Sequence, residues 1–459
     1  MPEGPRPEPP PDTPGSESRI PGPARRAAAA GFVGTFIEYY DFALYGTLTI
    51  YIAPRFFPSD AAATSLLAGL AVLGAGFFAR PIGGIILGRI GDRHGRRTSL
   101  LLTVLLMGLC SGLMGLLPTY AQIGVWAPLL LVLLRLGQGL SAGGEMLGSV
   151  TYVIESAPPA RRVFLASLTP FGGALGGAAG AGVAALLAAL LSDGAMGTYG
   201  WRIAFLLSMP LMVIAYLVRH RMADSPEFHD MVARKEIVRS PLRESLTVHK
   251  RAMLIAGGVA LAANGTAGVI AWFTTYLAGN RGLAGGTVLS AIALAKVLSA
   301  LCIPPAGALT DRIGQKKMLV GVLALFLGCC VPILWVLGTA TSFLGLLAGL
   351  FLFMAFCQMI TGPAFSYIAE LFPRNIRYTA SNFGQNIGTV LGSGFAPLVA
   401  GSLVLATGSW AGPALWLGGV SVVGLIGLTL RTRLMAPKQV VDAGSGQPAE
   451  RKRPTPRRS

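Results

Sequence analysis

The stretch Gly88-Arg89-Ile90-Gly91-Asp92-Arg93-His94-Gly95-Arg96-Arg97 separates two long apolar runs and decides the fold. It recurs in altered form 219 residues later, as Gly307-Ala308-Leu309-Thr310-Asp311-Arg312-Ile313-Gly314-Gln315-Lys316-Lys317. A second set of residues recurs at a constant offset of 215: Glu155, Pro158, Arg162, Gly173 and Gly177 match Glu370, Pro373, Arg377, Gly388 and Gly392. Matches at a nearly constant offset indicate one structural unit that is present twice.

The composition places this unit in a membrane. Of the 459 residues, 53% are hydrophobic and only 12% are charged, and the mean hydropathy is +0.62. An ordinary soluble domain has about 25% charged residues. The net charge of +17 would suggest a nucleic-acid partner on a soluble protein, but here the basic residues are distributed between apolar runs. The sequence therefore predicts an all-α integral membrane protein that has no nucleic-acid partner.

Twelve apolar segments are long enough to span the bilayer, which takes about 20 residues. They form two halves of six, 27–218 and 252–430, joined by a polar linker at 219–251. The tails at 1–26 and 431–459 are predicted to be disordered. The twelve segments are 27–52, 63–88, 98–118, 126–155, 163–191, 202–218, 252–279, 285–310, 318–338, 341–371, 378–407 and 413–430.

The basic residues predict the orientation, because cytoplasmic loops retain Lys and Arg. If the N-terminus is on the cytoplasmic side, all but six of the 37 basic residues lie in cytoplasmic loops and tails. The exceptions are Arg55, Arg202 and Arg281 in opposite loops and Arg80, Arg135 and Lys296 within helices. We therefore expect a multi-pass protein of the plasma (inner) membrane with both termini cytoplasmic. The basic C-terminal tail either lies on anionic lipid or is simply solvated.

The opening stretch resembles the loop between helices two and three of the major facilitator superfamily, through Gly88, Asp92, Arg93, Gly95, Arg96 and Arg97. Three further runs are similar to the metabolite:proton symporter family, which includes importers of organic acids and of proline and betaine. These runs are Ile37 to Gly46, Ala79 to Gly84 and Arg135 to Glu145. The resemblance implies two pseudo-symmetric six-helix bundles that alternate in access to the two sides of the membrane. Relatives commonly have Trp in place of Met146 and Gln in place of Pro170, so the substrate is expected to differ.

Four charged residues within the apolar segments are candidates for proton coupling. Glu38 and Asp41 are three residues apart on one helix, and two neighbouring acids do not both ionise easily. Arg135 is expected to neutralise one of these acids, and Glu145, too far along the same helix for Arg135, is expected to pair with Arg80. The alternatives are that Glu38 or Asp41 only locks the helix through a basic partner, and that Arg80 extends to the cytoplasmic surface.

Six further polar residues are candidates for substrate binding. Tyr45 continues the stripe of Glu38 and Asp41, Gln138 follows Arg135 by one turn, and Lys296 is the deep charge of the second half. A stripe of Asn382, Gln385 and Asn386, continued by Thr389, marks the eleventh segment. Such a stripe faces either a cavity, which we favour, or a neighbouring helix.

The repeated charged stretch is the candidate cytoplasmic gate. Asp92 and Asp311 are suited to accept hydrogen bonds from helix N-termini or from Arg neighbours. The resemblance implies a charge-relay latch made by Gly88, Asp92, Arg93, Gly95, Arg96, Arg97, Asp311 and Arg312. The simpler alternative, that the Arg residues only anchor the topology, is compatible with this role. Because Gln315 replaces Arg96 in the second copy, we expect the first copy to be the stronger latch.

Together these features predict a monomeric proton-coupled symporter that imports a small polar metabolite, an organic anion or a zwitterion, and contacts membrane lipid. No Gly-Lys-Ser or Gly-Lys-Thr pattern for nucleotide binding occurs, and no cofactor, metal site or enzymatic activity is predicted. Two alternatives remain: a proton-coupled exporter of the same fold, and a membrane sensor or embedded enzyme that does not transport.

Overall fold

The computed structural model describes residues 20–279, 285–409 and 411–434, and this part of the chain is helical and contains no strand. Twelve long helices follow one another. They are α1 Gly22–Phe56, α2 Ala62–His94, α3 Arg96–Leu116, α4 Trp126–Ser156, α5 Arg162–Leu190, α6 Asp193–His220, α7 Lys250–Gly279, α8 Thr287–Ile313, α9 Gln315–Thr339, α10 Phe343–Glu370, α11 Arg377–Thr407 and α12 Pro413–Leu434.

Three of these helices are locally irregular. Helix α6 has a π-helical turn at Met196–Gly200 and a break at Leu207, and α8 is interrupted between Ala300 and Ile303. Helix α11 has a π-helical turn at Val390–Gly394. Irregular turns within membrane helices are tolerated where the helix is buried in protein or lines a cavity.

Eleven of the twelve helices in the described part of the chain are long and apolar enough to span a membrane. Helix α1 does not meet this composition limit, although its 35 residues extend about 50 Å at 1.5 Å per residue. Its polar residues Glu38 and Asp41 are buried by the surrounding helices. Packing of α1 within the first bundle therefore makes it the twelfth spanning helix, as the sequence predicted.

Glycines on α5 allow α1 to pack very closely. A Cβ atom at Gly172, Gly176 or Gly180 would lie 2.0–2.4 Å from a backbone oxygen of α1. Small residues at such positions let membrane helices approach until their backbones touch. Helix α1 is therefore held in the centre of the first bundle despite its charged residues.

The boundaries of the polar regions differ in detail from the prediction. Helix α1 begins at Gly22, within the tail predicted at 1–26, and Pro23 is suited to its first turn. The linker predicted at 219–251 contains two short helices, Pro226–Ala233 and Pro241–Thr247. Residues 1–19 of the N-terminal tail and residues 435–459 of the C-terminal tail lie outside the described residues.

The two copies of the charged stretch make the same turn. Helices α2 and α3 meet at Gly95, with φ +104°, and α8 and α9 meet at Gly314, with φ +91°. This backbone conformation is disfavoured for residues with a Cβ atom. The repeat seen in the sequence is thus a repeat of backbone geometry, and it places Asp92 and Asp311 one turn before equivalent bends.

Candidate functional site: a charged cavity between the halves and its closed end

The halves α1–α6 and α7–α12 meet at the end of the molecule that carries the two charged turns. Asp92 of α2 accepts hydrogen bonds from the backbone N–H groups of Tyr378 (3.1 Å) and Thr379 (2.9 Å), at the start of α11. Asp311 of α8 accepts the equivalent bonds from Val163 (2.8 Å) and Phe164 (2.9 Å), at the start of α5. Each aspartate therefore caps a helix of the opposite half, where the N-terminus favours negative charge.

The first copy of this contact is more extensive than the second. Arg96 is completely buried and forms ion pairs with Asp92 (2.7 Å) and Glu155 (3.2 Å). It also donates to the carbonyl oxygen of Arg374 in the opposite half (2.8 Å). In the second copy, Gln315 stands in place of Arg96 and donates to Glu370 (2.9 Å), which forms an ion pair with Arg162 (3.2 Å).

That second ion pair is only partly buried, with side-chain exposures of 30% and 26%. Partly exposed ion pairs contribute less than about 1 kcal/mol. The contacts thus have the asymmetry expected from the sequence, and the gating role itself stays a prediction.

The other gate candidates contribute unequally. Gly88 allows α2 to touch α11, because a Cβ atom there would lie 2.7 Å from Thr379 Cα. Arg97 donates to the carbonyl oxygen of His220 (2.6 Å). For Arg93 and Arg312 no ion pair occurs within the described ranges, which fits the alternative that they anchor the topology.

The linker adds contacts that sequence reasoning missed. Asp224 accepts hydrogen bonds from the backbone N–H groups of Arg96 (2.7 Å) and Arg97 (3.2 Å) and so caps α3. Glu227 forms an ion pair with Arg377 (2.6 Å), and Glu236 forms one with Arg374 (2.7 Å). The Asp-Ser-Pro-Glu order at 224–227 is a helix-start pattern that could have indicated an ordered linker.

Replacing Asp92 by Asn should slow turnover with little loss of substrate binding, because the buried ion pair with Arg96 and one helix cap are weakened. Asp311→Asn should have a smaller effect, because the ion pair beside Asp311 is more exposed to solvent than the ion pair of Asp92. Transport rates and binding affinities of the two variants in proteoliposomes measure this difference. Normal turnover in Asp92→Asn would reduce the charged turn to a topology anchor.

Glu38 and Asp41 do not share one site. Glu38 pairs with Arg80 of α2, at 2.9 Å between Oε1 and Nη2. Asp41 accepts hydrogen bonds from Ser111 of α3 (2.5 Å) and from Ser208 of α6. The expectation of one shared acid site is corrected, because the two side chains leave α1 toward different helices.

The expected pairing of Glu145 with Arg80 is wrong. Glu145 binds Arg219, with 2.8 Å between Oε2 and Nη1, and accepts further hydrogen bonds from Thr103 (2.5 Å) and Ser149 (3.0 Å). Arg80 is already paired with Glu38. Arg219, assigned to the polar linker from the sequence, is the last arginine of α6 and extends back into the bundle, where it is 1% exposed.

Arg135 does not touch an acid of α1 directly. It donates to Gln138 (2.6 Å), Gln138 donates to Ser111 (2.7 Å), and Ser111 donates to Asp41. The guanidinium lies 4.1 Å from the centre of the Tyr45 ring, and its Nε and Nη2 atoms have no hydrogen-bond partner. A chain of three hydrogen bonds therefore links the predicted cation to the predicted proton carrier.

A cavity of about 860 Å³ lies between the halves beyond their closed end. The cavity extends from the closed end toward the opposite end of the bundles, where Leu70 of α2 and Leu398 of α11 line it. Arg80 lines it from the first half, and Lys296 lines it from the second. Its other polar wall residues include Asn264, Gln358, Thr361, Thr389 and Ser393.

Of the predicted substrate-binding residues, only Lys296 is on the cavity wall. Tyr45 and Gln138 are fully buried beside Arg135. Asn386 donates to the carbonyl oxygen of Gly143 on α4 (2.7 Å), whereas Asn382 donates to that of Tyr378 (2.9 Å), one turn earlier on α11 itself. In this conformation the stripe is therefore buried and contacts a neighbouring helix through Asn386, which corresponds to the alternative that we did not favour. Its fourth member, Thr389, reaches the cavity.

Two residues that depart from the pattern of the metabolite:proton symporter family also line this cavity. Met146 and Pro170, which stand where relatives commonly have Trp and Gln, both line it. Replacing Trp by Met removes an indole donor, and replacing Gln by Pro removes an amide. Compared with the Trp and Gln that the resemblance implies, these two residues leave fewer hydrogen-bonding groups on this side of the cavity, and the expected change of substrate stays a prediction.

Two helical bundles around a cavity that contains charged side chains are the architecture of many secondary transporters. The family model of the Major Facilitator Superfamily matches residues 31–381 and 286–457. The chain belongs to this superfamily, and it is a multi-pass membrane transporter rather than an enzyme.

The relatives are metabolite transporters. The chain is 34% identical to the inner membrane metabolite transport protein YhjE of Escherichia coli (strain K12), over 89% of this chain and 93% of that protein. It is 32% identical to the proline/betaine transporter of the same strain, over 91% and 85%. It is 31% identical to the citrate-proton symporter of Klebsiella pneumoniae, over 86% and 88%. The predicted resemblance to metabolite:proton symporters is confirmed.

A solved structure has the same fold. The proton:xylose symporter XylE superposes with a TM-score of 0.71 at 17% identity, covering 90% of this chain and 95% of that one. Identity at this level supports the fold alone.

Proposed function

We propose that this protein is a proton-coupled symporter that imports a small organic anion or zwitterion by alternating access. The observation that carries the proposal is the cavity between the halves, with a cation on each side. Lys296 faces the cavity, and its ammonium group makes no hydrogen bond or ion pair in the described structure. An unpaired ammonium at membrane depth is unfavourable, so a solute carboxylate is the partner that would satisfy it.

The proton is proposed to travel on Asp41. This carboxylate is buried in the first bundle, where an unpaired charge is costly, and two hydroxyl groups and the chain through Gln138 to Arg135 surround it. When a proton neutralises Asp41, the attraction that orients Gln138 and Arg135 is weakened. The bundle can then rearrange, which connects protonation to opening of the closed end.

The closed end is proposed to be the cytoplasmic one, because it carries the arginine-rich turns and cytoplasmic loops retain positive charge. The conformation then corresponds to a state that opens toward the outside. Both termini lie at the same end in this arrangement. Proteolysis of linker sites in right-side-out and everted membrane vesicles tests it, and cleavage only in right-side-out vesicles would contradict it.

The direct test is uptake into proteoliposomes under an imposed proton gradient. A thermal-shift screen over organic acids, amino acids and betaines first selects the solutes. We expect inward flux of an acid or zwitterion that stops when the gradient is collapsed. Flux of the solute against the direction of proton movement would instead identify an exporter, and absence of flux for every stabilising solute would favour the sensor.

Replacing Lys296 by Gln should weaken apparent substrate affinity by about tenfold or more, since a charge-assisted hydrogen bond contributes about 1.5–3 kcal/mol. Solute-dependent thermal shifts of the purified variant measure the change. Lys317→Gln, at an exposed position on α9 outside the cavity wall, is the matched control and should keep wild-type affinity. Unchanged affinity in Lys296→Gln would remove this cation from the binding site.

A further inference from the structure

Arg80 lines the cavity, and its ion pair with the buried Glu38 is incompletely satisfied. One hydrogen bond of 2.9 Å joins Arg80 Nη2 to Glu38 Oε1. Glu38 Oε2 and Arg80 Nε are both buried and have no hydrogen-bond partner. Guanidinium–carboxylate pairs frequently form two parallel hydrogen bonds. This pair therefore retains one free acceptor and one free donor.

Arg80 is also held by contacts that do not involve Glu38. Its guanidinium carbon lies 4.7 Å from the centre of the Phe42 ring and 5.1 Å from that of Phe77, and both rings line the cavity. Such cation–π contacts stabilise a desolvated arginine. The guanidinium can thus keep its position at the cavity wall when its carboxylate partner changes.

Glu38 has no comparable second partner. Glu145 of α4 and Arg219 of α6 also act on it electrostatically, but these two are bonded to each other and together are neutral. Of the charged groups packed around Glu38, only Arg80 balances its charge directly. Loss of Arg80 would leave an unpaired carboxylate that is 2% exposed, and burying such a charge is strongly unfavourable.

We propose that a carboxylate of the transported solute takes the place of Glu38 on Arg80, and that Glu38 then binds a proton. The inference rests on the proposed function, in which the cavity accepts an organic anion. The solute carboxylate bonds to the guanidinium, the Arg80–Glu38 hydrogen bond breaks, and a hydronium ion in the cavity transfers its proton to Glu38. Arg80 and Glu38 together are neutral before the exchange, and Arg80, protonated Glu38 and the solute carboxylate together are neutral after it. No covalent bond in the solute changes.

This proton site is separate from Asp41. Neither carboxylate is on the cavity wall, but Asp41 bonds to Ser111 and Ser208, whereas Glu38 bonds to Arg80, which lines the cavity. The solute thus loads one proton by its own binding, and Asp41 carries another. A solute with one carboxylate is then accompanied by two protons, and its transport moves net positive charge.

A ligand-free experiment tests the link between Arg80 and Glu38. In Arg80→Gln, infrared spectra of the purified protein near neutral pH should show one additional protonated carboxyl group, which disappears in Arg80→Gln/Glu38→Gln. Lys296→Gln removes a cavity cation but leaves the pair intact, and it should show no additional group. Arg80→Lys, which keeps a cation, should resemble wild type. No additional carboxyl signal in folded Arg80→Gln would overturn the proposal.

Transport stoichiometry tests displacement by the solute. The probes are citrate, succinate and benzoate, and the number of protons per solute is obtained from reversal potentials in proteoliposomes. We expect Glu38→Gln to move one proton fewer per solute than wild type, and an equal number would overturn the proposal. Transport of none of the three probes would reject both the proposed function for these acids and displacement by them. The infrared result would then still decide whether Arg80 holds the charge of Glu38.

Discussion

Asp41→Asn should abolish proton-driven uptake and leave exchange of solute across the membrane intact. Asn keeps the size of the side chain and can still bond to Ser111 and Ser208, but it cannot gain or lose a proton. The variant resembles a permanently protonated carrier. It can change conformation with solute bound, so it exchanges solute. It cannot release a proton at position 41, however, so the empty carrier does not return, and the proton on Glu38 alone does not drive net uptake.

The measurement compares gradient-driven uptake with counterflow of labelled solute in the same proteoliposomes. Uptake should fall to the level of protein-free vesicles, while counterflow stays near that of wild type. Asp60→Asn is the matched control, because Asp60 is exposed in the turn between α1 and α2 and should not affect either process. Proton-driven uptake that persists in Asp41→Asn would remove this carboxylate from the proton path.

Arg219→Met should prevent accumulation of folded protein. Arg219 donates to Glu145 with both terminal nitrogens and also to the carbonyl oxygens of Leu100 and Ala30. It therefore joins α1, α3, α4 and α6. Removing one partner of a buried ion pair leaves an uncompensated charge and destabilises a protein by about 3–5 kcal/mol, a large part of the usual stability of about 5–15 kcal/mol.

Thermal unfolding and gel-filtration profiles in detergent measure this loss. Arg221→Met, two residues later and exposed, is the matched control and should behave like wild type. The double variant Arg219→Met/Glu145→Gln should recover part of the stability, because the glutamine side chain carries no charge. Normal stability of Arg219→Met would show that water or another cation compensates Glu145.

Much of the fold could be predicted from the sequence because membrane insertion depends on local properties. Runs of apolar residues predict spanning helices by length alone, and the repeated turn predicted two halves with the same bend. The prediction was least specific for α1. Its Glu38 and Asp41 lower the local hydropathy, so its place as a spanning helix depends on close packing against the glycines of α5.

Motifs also predicted which charged residues lie within the bundles, but not which of them meet. The capping positions of Asp92 and Asp311 followed from the repeat, whereas the partner of Glu145 did not. Arg80 lies in the middle of α2 and Arg219 is the last residue but one of α6. Both have long basic side chains that extend several ångströms from the backbone, so composition does not show which of them pairs with Glu145. Their assignment depends on how α2 and α6 rotate about their axes in the bundle.

The charged turns show the same division between sequence and structure. By itself, the sequence determined that two similar turns exist, that they carry Asp and Arg, and that the second lacks Arg96. These properties are local or periodic, so they can be read along the chain. Only the tertiary structure decided that each Asp caps a helix of the opposite half, that Glu38 and Asp41 have separate partners, and that Lys296 faces the cavity. Such contacts join residues far apart in the chain, and they depend on helix rotation and depth.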